Sequence, residues 1–234
     1  MDKLTRKELK SDKFALEVQH SVEFVSHHRR QMIQWTVAGA AAVLIVAGIL
    51  WYRNNQHNAR QEALHAAMQI QNSTIGPAQS EYSVTFPTPE ARKSAVLKTW
   101  RDLVAKYPGT EEGAIAEFFL GTTAADDGNL PESAKHFQAA IDSGSAPYAS
   151  QAKLALAQIY AAQGKVNDGV RLIQSVVDHP TVTVSKDAAS LALAELIKSS
   201  DPKRFHQLVD PLRTSTRSAV SKAAISMEGS LSQQ

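Results

Sequence analysis

The sequence predicts an all-α chain in which one transmembrane helix near the N-terminus precedes a helical repeat domain. Three observations carry this: an uncharged apolar run, a succession of amphipathic segments punctuated by Gly and Pro, and two stretches that align at a fixed offset. The composition, 43% hydrophobic and 21% charged over 234 residues, is that of an ordinary folded protein with room for one sizeable domain and accessory segments.

The first 30 residues hold seven Lys/Arg against five Asp/Glu, whereas the stretch from Arg53 onward holds eighteen of each, so the net charge of +2 resides in the tail. A domain neutral on balance lacks the broad basic footprint of phosphate-backbone binding, and nucleic acid is not expected as a partner. With no cysteine there is no disulfide scaffold, thiolate nucleophile or thiolate metal site.

Residues 1–31 read as a cytoplasmic amphipathic helical tail. Thr5 to Glu8 has capping-box spacing, and Phe14, Val18, Val22 and Val25 recur three and four apart. Such a face suits the inner leaflet or a cytoplasmic partner. The His27-His28-Arg29-Arg30 cluster reads as an anchor to anionic headgroups rather than a metal or nucleic-acid site.

Residues 32–52, Met32 to Tyr52, form the transmembrane helix, with no charge between Arg30 and Arg53. About 20 residues at 1.5 Å each cover a hydrocarbon core of roughly 30 Å, and Trp35 at one end with Trp51 and Tyr52 at the other fit the interfacial belts. The charged stretch before it is too long for a cleavable signal peptide, which points to an uncleaved signal anchor. The surplus of Lys3, Arg6, Lys7, Lys10 and Lys13 places the N-terminus in the cytoplasm and the rest across the membrane. Ala38, Gly39, Ala42, Ala47 and Gly48 offer a small-residue surface for self-association, without a strict Gly-x-x-x-Gly.

Residues 53–88 read as a helical extension and a loop. Ala59, Ala63, Ala66, Ala67 and Ile70 continue the helical spacing as far as Ile75. Gly76-Pro77 then breaks it, and the Pro-containing stretch that includes Gln79, Ser80 and Ser83 leads to a new helix opening at Thr88-Pro89-Glu90.

Residues 89–234 read as the repeat domain. Phe118-Phe119-Leu120-Gly121, followed by Asp127-Gly128-Asn129 and Ser133 to Ala140, aligns at a 36-residue offset with Leu154 to Tyr160, Gln163-Gly164-Lys165 and Gly169 to Ile173. These stretches resemble tetratricopeptide repeats. Leu120, Gly121, Gly128, Ser133, Phe137 and Ala140 fill the family's positions in one unit, and Leu156, Ala157, Tyr160, Gly164, Gly169, Ile173 and Val176 in the next. Ala124 stands where the family has an aromatic, and Glu117 and Lys153 where it prefers tryptophan. Val96 to Gly109 looks like another repeat's second helix. Beyond Asp187 the motif cannot be fitted, and a degenerate cap is expected.

The layout of basic tail, single anchor and exported degenerate repeats resembles the ancillary Sec translocon subunit family. That resemblance implies a non-enzymatic scaffold of the bacterial inner membrane, its C-terminal domain periplasmic or extracellular, with the translocon and a periplasmic chaperone or client as partners. A tetratricopeptide scaffold for envelope assembly or cell division is the alternative. If first helices line the binding face, as the resemblance implies, Glu117, Thr122, Lys153 and Gln158 are the candidate contacts. Leu120, Gly121, Gly128, Phe137, Leu156, Ala157, Tyr160 and Gly164 are then structural. Catalytic, cofactor-binding and metal-ligating residues are expected to be none. There is no Gly-rich phosphate loop, paired-histidine helix or nucleophile elbow, and Glu111-Glu112, Asp126-Asp127, His136, His179 and His206 are dispersed.

Overall fold

The computed structural model describes residues 6–78 and 83–231. Nine helices and two short strands occur among them. Thr5 of the expected capping box, and Gln79 and Ser80 of the expected loop, lie outside the described residues.

Helix α1 (Arg6–Gln71) is 66 residues long and includes the uncharged run. Its large apolar side chains from Ile33 to Tyr52 are exposed, with Trp35 at 76% and Leu44 at 72%. The helix is long and apolar enough to cross a membrane. The chain divides into two compact units, Met1–Ala59 and Arg60–Gln234.

The second unit starts with the last turns of α1, which end at Gln71 rather than continuing to Gly76. The Ser73 hydroxyl donates to the Ile70 carbonyl at 2.6 Å, and the Arg92 guanidinium takes the carbonyls of Gln71 and Ser73. These donors satisfy carbonyls left open at a helix end and place a cation against its dipole. The chain then turns extended. β1 (Thr74–Ile75) pairs in parallel with β2 (Thr85–Phe86), so the expected loop carries a two-residue strand at each side.

Eight further helices follow: α2 (Pro89–Lys106), α3 (Glu111–Asp126), α4 (Leu130–Asp142), α5 (Ala146–Ala162), α6 (Val166–Asp178), α7 (Lys186–Ile197), α8 (Pro202–Arg213) and α9 (Ser218–Leu231). Their starts are written locally. Thr88, Thr110, Asn129, Ser185 and Asp201 each accept a backbone N–H three residues on, and Pro89, Pro131 and Pro202 open first turns where a missing N–H costs nothing. The turns α3–α4 and α5–α6 are copies. Gly128 and Gly164 take φ of +74° and +77°, and Asn129 and Lys165 donate back to Ala124 and Tyr160 at 2.9 and 2.7 Å. That closure needs a left-handed residue, which a side chain resists.

Each helix packs on the next, and four apolar clusters follow one another along the unit. The first joins Ala67 to Trp100, Leu103, Ile115 and Leu120, so the end of α1 completes the pair with α2. Trp100 is wholly buried, stacks on Phe119 at 4.6 Å and donates its indole N–H to Gln71 Oε1 at 2.9 Å. The second centres on Phe137, Leu156 and Ile159, the third on Ile173, Leu193 and Ile197, and the last on Ala194, Phe205, Val209 and Ala224. Such a chain of nearest-neighbour cores is the architecture of a helical solenoid.

Candidate functional site

The first helices of successive pairs touch one another, α3 with α5, α5 with α7 and α7 with α9, whereas among the described residues the second helices α4, α6 and α8 do not. The row α3, α5, α7, α9 is therefore the shorter arc of the stack. It forms a continuous inner face, and the second helices splay apart outside it.

Close approach within the pairs α3/α4 and α5/α6 depends on small residues. A Cβ on Gly121 would lie 2.8 Å from two ring atoms of Phe137, and one on Gly169 would lie 2.8 Å from the Ala157 carbonyl oxygen. Ser133, also at the contact, is fully buried and donates to the Gly121 carbonyl at 2.8 Å, so its hydroxyl is satisfied where the backbones meet. Leu120, Phe137, Leu156 and Ala157 are buried, and Gly128 and Gly164 make the turns. Tyr160 is half-buried and lines a surface cleft.

Of the four candidate contacts, two are engaged inside their own helix pairs. Glu117 Oε2 lies 2.6 Å from His136 Nδ1 on α4, and Lys153 Nζ donates to Ser175 Oγ on α6 at 3.1 Å. These residues, 36 apart, both lean toward the second helix of their unit. The Thr122 hydroxyl donates to the Phe118 carbonyl one turn back at 3.0 Å, and Gln158 is exposed.

Sequence reasoning passed over a third copy of the large-small pair. Leu193-Ala194 stands 37 residues after Leu156-Ala157, and both residues are fully buried. The signal was masked on the second helix, where Phe205 occupies the place of Ser133 and Gly169. The link before it is also one residue shorter: 11 residues separate Ala194 from Phe205, against 12 from Gly121 to Ser133. α7 and α8 are thus another pair, and α9 packs on both. Phe118, Leu154 and Leu191, each two residues before the leucine of its pair, recur half-buried on successive first helices. Phe118 meets Phe137 and Tyr148 at 5.6 and 6.0 Å, tying α3 to both α4 and α5.

Two ionic clusters stand out. Glu112, 2% exposed, is held by Arg60 Nε at 3.1 Å and by the Gln61 amide at 2.7 Å, so a buried carboxylate fastens α3 to the end of α1. His206, Asp210 and Glu228 bring ligand-type atoms within 4.8 Å of one another. Arg213 lies 2.8 Å from Glu228 and 3.7 Å from Asp210, so a guanidinium already meets their charge. The cluster reads as an ion-pair network joining α8 to α9.

A family model described as a tetratricopeptide repeat-like domain matches residues 29–181, more than half of the chain. No curated protein and no solved structure matches it.

Proposed function

Because the chain belongs to the tetratricopeptide repeat-like domain family, we propose that it is a non-enzymatic, membrane-anchored interaction scaffold whose repeats hold a protein partner. The observation that carries this reading is the row of first helices α3, α5, α7 and α9, a continuous inner face on a stack of fixed geometry. Surfaces of this kind bind extended segments or partner helices along several repeats at once. The exposed apolar stretch of α1 supplies the anchor.

In the finer reading, the tail is cytoplasmic, the repeat domain lies on the far side of the bacterial inner membrane, and the protein accompanies the protein-export translocon while recruiting a chaperone or client. The excess of Lys/Arg before the span and the layout of tail, anchor and repeats support it. Gln158, exposed on α5, and Thr122 on α3 are the contacts we assign to the partner face, and Glu117 and Lys153 set its first helices against the second.

The test is in-cell crosslinking of the full chain, gentle extraction and mass spectrometry, repeated with residues 60–234 deleted. Translocon subunits retained through the anchor, with a chaperone lost on deletion, are the expected result. Recovery of envelope-assembly or division proteins alone would refute the export assignment and leave the scaffold reading standing.

A further inference from the structure

A cleft of about 670 Å³ opens at the turn end of the two best-formed repeats. Leu130, Pro131 and Ala134, from the first turns of α4, give it an apolar wall. Gly128 leaves one rim without a side chain, and Tyr160, Gln163 and Lys165 close the other side. The Lys165 ammonium sits 5.8 Å from the centre of the Tyr160 ring.

Asp127, which precedes Gly128, is paired with Lys93, and Asp168 is paired with Arg171. Lys165 itself has no carboxylate partner among the described residues, so the cleft joins apolar surface to an uncommitted cation. A cation over an aromatic face keeps its charge available on the open side.

The N–H groups of Gly164 and Lys165 are spent on Ala161 and Tyr160 at 2.9 and 2.7 Å, so neither is free to take an anion. One flexible lysine suits a single side-chain carboxylate as a point charge.

We propose that this cleft is a docking subsite for a partner polypeptide. It takes an apolar side chain against Leu130, Pro131 and Ala134, and it pairs a neighbouring Asp or Glu with Lys165. The subsite rests on the scaffold reading and adds to it a recognised chemistry, an apolar residue beside an acidic one. It lies at the turns rather than along the row of first helices, so a partner held on that row would gain a second point of attachment.

The test uses the full chain in detergent micelles and an array of amidated eight-residue peptides, each pairing one apolar residue with Asp, Glu, Asn or Gln at every neighbouring position. Acidic members are expected to be retained roughly fivefold better than their amide counterparts at low salt, with the difference fading as salt rises. Lys165→Glu, a change at an exposed position, reverses the preference, and Ala134→Trp fills the cleft and removes retention of all members. Equal retention of acid and amide peptides, an unchanged array for Lys165→Glu, or no member above the Ala134→Trp background would each overturn the proposal. In-cell crosslinking of the Lys165→Glu chain separates the two ideas. Partners recovered unchanged alongside any of those array results would sink the subsite and leave the scaffold reading intact.

Discussion

Replacing Gly121 with alanine sets two effects of opposite sign against each other. In a helix interior alanine is favoured over glycine by about 1 kcal/mol, so Gly121→Ala on α3 would stabilise the chain if the position were open. It is not open: the new Cβ would sit 2.8 Å from Cδ1 and Cε1 of Phe137, against a preferred carbon separation of roughly 3.5–4.0 Å. Phe137 is 2% exposed, and protein cores are close-packed, so the ring or the whole of α4 must move by several tenths of an ångström. Overpacking of this kind costs about 1–3 kcal/mol, which leaves a net destabilisation of about 1 kcal/mol. The chain carries its own control. In the next unit, 36 residues on, alanine stands at the corresponding place as Ala157 and the bulky partner is the smaller Ile173. Phe137→Ile alone opens a void and destabilises, whereas Gly121→Ala with Phe137→Ile reproduces the neighbouring pair. The double variant should lose about 1 kcal/mol less than the two single losses summed. Urea unfolding of residues 60–234, followed by helical circular dichroism, measures all four corners of this cycle. A raised midpoint for Gly121→Ala, or strict additivity, would show that helix spacing at this contact is not set by side-chain size.

Three further outcomes follow from the packing. A fragment starting at Asn72 lacks the end of α1 and retains Trp100 as its single tryptophan; with Ala67 and Gln71 gone, its emission should shift to the red relative to Trp100 in residues 60–234, read after Trp-to-Phe exchange is shown unnecessary by the absence of Trp35 and Trp51 from both fragments. Glu112→Ala breaks the buried contact with Arg60 and Gln61 and should lower stability by about 2–4 kcal/mol in the same urea assay, a loss that Glu112→Gln only partly restores. Tyr160→Ala should cost about 1–2 kcal/mol, because a half-buried ring contributes less than a fully enclosed one; a loss as large as that of a wholly buried aromatic would contradict its place at the cleft.

Much of this architecture is legible in short stretches of chain. The caps Thr88, Thr110 and Asn129, the left-handed glycines 128 and 164, and the pairs Leu120-Gly121 and Leu156-Ala157 are local signals, because each turns on hydrogen bonds or contacts a few residues apart. The apolar length of α1 is equally a property of sequence alone. The third pair escaped because Phe205 takes a place that is small in the other two, and the last cluster accommodates it by packing Phe205 against Ala194 and Ala224. No rule of spacing contains that exchange.

What the sequence by itself determined is the helical class, the long apolar helix, the turns and the two regular repeats, all of which depend on periodicity and near-neighbour chemistry. Only the tertiary structure decided that the end of α1 supplies the first helix of the stack, that Glu117 and Lys153 turn toward His136 and Ser175, and that Lys165 stands uncommitted beside an apolar cleft. The physical reason is common to all three. Where a side chain leans, and whether its charge is met, depends on residues brought beside it from other helices, and that proximity exists only once the stack has formed.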